Sequence, residues 1–201
     1  MDRSSDLLRD LGIDEEVISR ETLEAVIFLA VEIAREGREG RNIGTMFVVS
    51  DAEATLTQSK SLILDPLWHH PEGAKHVNDP NLRETVKELA QLDGAFIVSD
   101  DGVVLSACRY INASSEGIEL PLGLGSRHMA GASISRATGA VAVVVSESAL
   151  VRVFVDGELV AEILPELWLL RERSLHVERP YSLRSDAHMT VATRADRDET
   201  E

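Results

Sequence analysis

Three short clusters in this chain combine residue types able to bind an anion, hold a divalent cation or move a proton. The first is Asp93-Gly94-Ala95, just ahead of an apolar run. A carboxylate there can ligate a metal or accept a proton, and Gly94 with Ala95 lets a ligand come close to the backbone. The same dipeptide also reads as an ordinary Asp-Gly turn. The second cluster is Leu122-Gly123-Leu124-Gly125-Ser126-Arg127-His128. Glycines entering a helix with a hydroxyl, a guanidinium and an imidazole suit an anion, because free amides and the helix dipole favour negative charge there and Arg127 adds a forked donor. No Lys-Ser/Thr follows the glycines, and the spacing fits neither a phosphate loop nor a dinucleotide fingerprint. The bland reading is Ser126 as a helix cap, Arg127 facing solvent and His128 packed. The third is Ser146-Glu147, at the carboxyl end of the most apolar stretch. A hydroxyl and a carboxylate there can touch a sugar, a phosphate or a metal, and they would look the same in a capped turn.

Other candidates are weaker. His69, His70 and His76 lack a carboxylate-rich partner and read as surface loop residues. Cys108 has Arg109 as its one basic neighbour and reads as a buried small side chain, not a nucleophile. No Gly-x-Ser-x-Gly elbow is present.

The elements that must position these clusters follow from periodicity. The first ~40 residues read as helix, with Asp14 as a cap, apolar residues at helical spacing and a stop at Glu36-Gly37. Met46-Phe47-Val48-Val49 reads as a strand buried on both faces, and Ser61-Leu62-Ile63-Leu64 as a weaker one. Asp79-Pro80 opens a helix. Phe96-Ile97-Val98 and Val103-Val104-Leu105 flank Asp100-Asp101-Gly102 and form a hairpin. A helix over 127–137 precedes a strand over 141–145, and a second hairpin turns on Asp156-Gly157. Pro165 opens a last helix over 166–173. Strands alternate with helices while two pairs join through tight hairpins, which predicts one α/β domain with a central mixed sheet flanked by helices. The organisation expected is a helical segment over 1–40, the α/β domain over 41–180 and a flexible acidic tail over 181–201.

Composition sets the outer bounds. The 201 residues are 44% hydrophobic, enough for one substantial core, and carry 35 acidic against 20 basic residues, a formal net charge of −15. That field repels phosphate backbones, so no nucleic-acid partner is expected. Only Lys60, Lys75 and Lys87 are lysine. Acid excess with few lysines fits proteins of salt-loving archaea, and fits an ordinary acidic protein as well. No apolar run is long enough for a membrane span, the start shows no secretory pattern, and Cys108 stands alone, so a cytoplasmic protein is expected.

The order of the clusters adds what none carries singly. Leu92-Asp93-Gly94-Ala95, Gly125-Ser126-Arg127-His128 and Val143-Val144-Val145-Ser146-Glu147 are spaced roughly 30 and 20 residues apart. This resembles the diadenylate cyclase family, whose domain also forms the amino end of the DNA-integrity scanning protein. That family shows Asp-Gly-Ala, Gly-Thr-Arg-His-Arg and Val-Val-Ser-Glu in this order, and the likeness runs over about residues 43–165, closest to the archaeal stand-alone branch. Ser126 keeps the hydroxyl of the family's threonine, while Met129 stands where the family has a second arginine. The resemblance implies condensation of two ATP to cyclic di-AMP and two pyrophosphates, with one ATP per protomer in a face-to-face homodimer or higher oligomer. It implies that Asp93 binds a divalent metal, Mn2+ or Mg2+, and helps deprotonate the 3′ hydroxyl. Gly94, Ala95, Gly125, Ser126, Arg127, His128, Ser146 and Glu147 would bind the substrate, with Tyr110 and Ile111 at the adenine. With that arginine missing, either Arg127 or another basic residue, Arg109 or Arg136, would take up its load, or ATP would bind more weakly. A protein that binds ATP or cyclic di-AMP without turnover is the alternative.

Overall fold

The computed structural model describes residues 13, 18–165, 181–185 and 190–194. Helix α1 spans Arg20–Glu36. Its cap is Ser19, whose hydroxyl accepts from Thr22 N–H at 3.4 Å, and it stops at Gly37, where φ of 54° suits a residue without Cβ. The expected cap, Asp14, lies outside the described residues. Strand β1 (Thr45–Val49) is buried at every position, as a central strand covered on both faces must be. The short helix α2 (Ala52–Thr57) was not expected: it buries only Thr55 and has no side-chain cap, so it leaves no periodic signal. Strand β2 is Ser59–Ser61, a shift towards the amino end from the expected 61–64, because pairing with β4 fixes its register while Leu64 stays 95% exposed.

Helix α3 (Pro80–Leu89) is capped as its sequence predicts, Asp79 Oδ1 accepting from Asn81 N–H at 2.7 Å. Strands β3 (Ala95–Val98) and β4 (Val104–Ile111) form the first hairpin, helix α4 spans Ser126–Ala137, and β5 is Val141–Val145. Strands β6 (Val151–Val155) and β7 (Glu158–Leu164) form the second hairpin. Two more strands follow, β8 (Tyr181–Ser185) and β9 (Thr190–Arg194). This stretch falls in the tail expected to be flexible, yet β9 pairs with β7 and buries Val191, Ala192 and Thr193. Residues 166–173 and 195–201 lie outside the described residues.

The nine described strands make one sheet in the order β2-β4-β3-β1-β5-β6-β7-β9-β8. Strands β1 and β3 run parallel and the remaining pairs are antiparallel, so the expected mixed sheet is present. Its two faces carry separate cores. One is packed by Phe47, Phe96, Val143 and Val153 with the apolar face of α1, and the other by Met46, Ile97, Val144 and Phe154 with α4. Because side chains alternate across the sheet, Met46 and Phe47 serve opposite layers. No helix among the described residues is long and apolar enough to cross a membrane.

Cys108 sits in β4 at φ of 55°, 3% exposed. Burial pushes its thiol up from the usual range, and the Asp65 carboxylate adds to the rise. Alkylation of the folded protein at pH 8 is therefore expected to be slow and to accelerate sharply in denaturant. Equal rates in the two states, followed by mass spectrometry, would contradict the burial.

Candidate active site

Strand direction alone brings the three clusters together. Strands β1 and β3 enter the sheet at one edge, and their antiparallel neighbours β5 and β4 leave it there. Asp93-Gly94 precedes β3, Ser146-Glu147 follows β5, and both arrive beside Gly44 at the start of β1. Helix α4 begins at the same place. The Arg127 guanidinium stands between the two acids, Nη2 at 3.7 Å from Asp93 Oδ1 and Nη1 at 3.8 Å from Glu147 Oε1. The acid side chains are 91% and 75% exposed, so these pairs are weak, about 0–1 kcal/mol, and Arg127 is readily drawn to a stronger anion.

Two residues that sequence reading passed over complete this edge. A Cβ on Gly44 would lie 2.3 Å from Arg127 Nη1 and 3.1 Å from Glu147 Cγ, so the missing side chain is what lets the guanidinium lie across the strand end. Asn42 Nδ2 donates to the Glu147 carbonyl at 2.8 Å and ties the loop before β1 to the loop after β5. The available signal was a glycine just ahead of a strand with a short apolar run, the same position that Gly94 holds before β3.

The remaining candidates divide. Ser126 is exposed at the first position of α4, and Gly125, not Ser126, is the helix cap. His128 is buried at 7% exposure, its ring between Gly125 N–H, which donates to Nδ1 at 3.2 Å, and Arg152 Nη1, 3.1 Å from Nε2. It therefore lies under the helix start, not on the surface beside Arg127. Ala95 is fully buried in the α4-side core. Ser146 is 8% exposed and shapes a turn: its hydroxyl accepts from Ser148 N–H at 3.1 Å, and its own N–H donates to the Leu150 carbonyl.

Tyr110 and Ile111 fall inside β4 rather than after it. Ile111 is in the α4-side core, and Tyr110 is 47% exposed with Lys60 Nζ 5.2 Å from its ring centroid. Arg109 and Arg136 do not join the cluster. Arg109 spends its donors on β2 and α2, bonding Ser59, Ser61 and the Leu56 carbonyl. Arg136 bonds the Gly117 carbonyl from the last turn of α4, about 13 Å along the helix from Arg127.

Gly94 answers to its neighbour strand. Its φ is 111°, and a Cβ there would fall 2.6 Å from the Cys108 carbonyl carbon. Gly94→Ala is expected to cost about 1–3 kcal/mol, read as a drop in chemical-denaturation midpoint; an unchanged midpoint would show that β4 can move aside.

Two carboxylates against one guanidinium leave the edge negative, so a phosphate needs a compensating cation. Among the described residues no three His, Cys, Asp or Glu side chains are grouped to hold a metal by themselves. Asp93 and Glu147 nevertheless fit an ion that binds through one or two carboxylates and takes its other ligands from water and substrate phosphates, as Mg2+ does.

Comparison with known proteins gives the family. Residues 32–159 match the family model described as DisA bacterial checkpoint controller nucleotide-binding. A diadenylate cyclase of Methanocaldococcus jannaschii is 46% identical over 152 residues, covering 75% of this chain and 48% of that protein. A diadenylate cyclase of Haloferax volcanii is 42% identical over 146 residues, covering 71% of this chain and 52% of that protein. The chain thus spans about half the length of these curated relatives. A Bacillus cereus crystal structure, described as a hypothetical membrane spanning protein, shares the fold at TM-score 0.51 and 19% identity, over 69% of this chain and 62% of that one. With the family model covering most of the chain and the three clusters meeting at one sheet edge, the protein belongs to the DisA bacterial checkpoint controller nucleotide-binding (DAC) family.

Proposed function

We propose that this chain is a diadenylate cyclase, condensing two ATP to cyclic di-AMP and two pyrophosphates across two copies that face each other. The observation that carries the reading is the meeting of Asp93, Arg127 and Glu147 at one end of the central strands β3, β1 and β5. Each 3′ oxygen forms a bond to the α-phosphorus of the other nucleotide while the bond to pyrophosphate breaks. Asp93, exposed and beside Arg127, accepts the 3′ hydroxyl proton. Arg127 leaves its two weak carboxylate partners for the triphosphate and offsets charge on the departing pyrophosphate. Ser126 and the first amides of α4 donate to phosphate oxygens. Asp93 with Glu147 would hold Mn2+ or Mg2+, whose charge offsets that of the triphosphate. Tyr110, the exposed aromatic at the end of β4, offers a face to adenine.

One residue favours the alternative of ATP or cyclic di-AMP binding without turnover: Met129 stands in α4 where a second cation is expected. Incubation with ATP and Mn2+ or Mg2+, with product identified by mass spectrometry, separates the two. Cyclic di-AMP supports the cyclase, and bound ATP without product supports the sensor. In this reading residues 41–180 carry the catalytic function with α1, Arg20–Glu36, packed against the sheet, and the reaction runs in the cytoplasm, where ATP is available.

We further propose that the charge of −15 is a salt-adapted surface. Self-repulsion among the acids is screened at high ionic strength, so the melting temperature is expected to fall as salt is withdrawn while ATP binding persists in high salt. Full stability without salt would remove the adaptation and leave the cyclase reading intact.

A further inference from the structure

Beneath the first turn of α4 runs a buried polar chain that the mechanism above does not use. Arg152 on β6 and Glu162 on β7 are cross-strand partners, 3% and 0% exposed, with Arg152 Nε donating to Glu162 Oε1 at 2.6 Å. The flanking pairs, Val151 with Ile163 and Val153 with Ala161, are apolar. A buried ion pair recovers its desolvation cost poorly, so an apolar pair at this position would serve stability as well or better. The other end of Arg152 points at a function: its Nη1 lies 3.1 Å from His128 Nε2, while His128 Nδ1 faces the Gly125 N–H at 3.2 Å. His128 is the third residue of α4 and reaches back to the cap amide, the place a Glu or Gln takes in a capping box. A neutral imidazole has one acceptor nitrogen, so the guanidinium and the Gly125 amide compete for it. Glu162, by gripping Arg152, sets that balance.

We propose that Arg152 and Glu162 are positioning residues for the nucleotide end of α4. They fix the His128 ring, through it the Gly125 cap, and so the turn that presents Ser126 and Arg127. Only the ATP-affinity readout rests on the proposed function.

The test compares wild type, Glu162→Gln and Glu162→Gln/His128→Gln, with Arg152→Lys as the substitute for any variant that fails to fold. In Glu162→Gln, amides of residues 125–129 should exchange faster while those of β1 and β5 keep their protection. The affinity for ATP with Mg2+, by calorimetry, should fall by about 10- to 100-fold, the usual effect of losing a supporting contact behind a ligand-binding group. Gln at 128 carries its own acceptor, so the double variant should recover exchange protection and affinity without recovering the melting temperature, which a purely structural role cannot produce. Unchanged exchange at 125–129 and unchanged affinity, alongside a lowered melting temperature, would overturn the inference. Exchange needs no nucleotide, so failure of wild type to make cyclic di-AMP would count against the cyclase reading and leave the positioning result standing.

Discussion

Asp93→Asn is expected to lower cyclic di-AMP formation by about 10²- to 10⁴-fold, the range for removing a positioned proton acceptor. Asparagine keeps the shape of the side chain and removes its charge and basicity, so Arg127 loses one weak partner and nothing in the core changes. With the Asp93 side chain 91% exposed, stability should stay within about 0.5 kcal/mol of wild type. Product measured by chromatography under Mn2+ and Mg2+, with melting curves as the control, checks both statements. Equal product from Asp93→Asn would sink the assignment of Asp93, and with it the reading of this edge as the reacting centre. Loss of product with loss of folding would move Asp93 into a structural role that its exposure does not support.

The largest effect on stability is expected at Arg152. Arg152→Met leaves the fully buried Glu162 carboxylate without its guanidinium, and breaking one side of such a pair costs about 3–5 kcal/mol. Replacing both, Arg152→Met with Glu162→Leu, removes the buried carboxylate along with its guanidinium and should return most of that loss. Urea midpoints of the two variants decide it: a double variant no more stable than the single one would mean that the cost comes from packing around the long arginine side chain instead of from the broken ion pair. The two residues are cross-strand neighbours, so the effects are expected to couple and not to add.

Much of the fold was legible because its signals are local. Five consecutive apolar residues at 141–145, four of them β-branched valines, read as a strand covered on both faces, Asp79-Pro80 announces a helix start, and the Asp-Gly turns at 101–102 and 156–157 mark two hairpins. Where the signal is not local, the reading slipped. Helix α2 buries one residue and has no periodicity to find. Strand β2 takes its register from Tyr110 and its neighbours, more than 40 residues away, so its own composition misplaced it. Strand β9 is held by pairing with β7, and a five-residue stretch carries too little pattern to reveal that.

The candidate site divides along the same line. Residue types and their order in the chain named Asp93, Arg127 and Glu147, because a carboxylate, a guanidinium and a strand-end acid keep their chemistry whatever surrounds them. Gly44 and Asn42 escaped notice because their roles exist only against side chains and carbonyls more than 80 residues distant. His128 carries an imidazole that reads as a phosphate contact in sequence, and the fold turns it inward against Arg152. Arg109, a free cation on paper, is consumed by β2. By itself, then, the sequence determined which functional groups this protein has and that they stand at the ends of strands and the start of a helix. The tertiary structure alone decided which of them face solvent and which face each other, because burial and hydrogen-bond partnership are set by the neighbouring strand in space and not by the neighbouring residue in the chain.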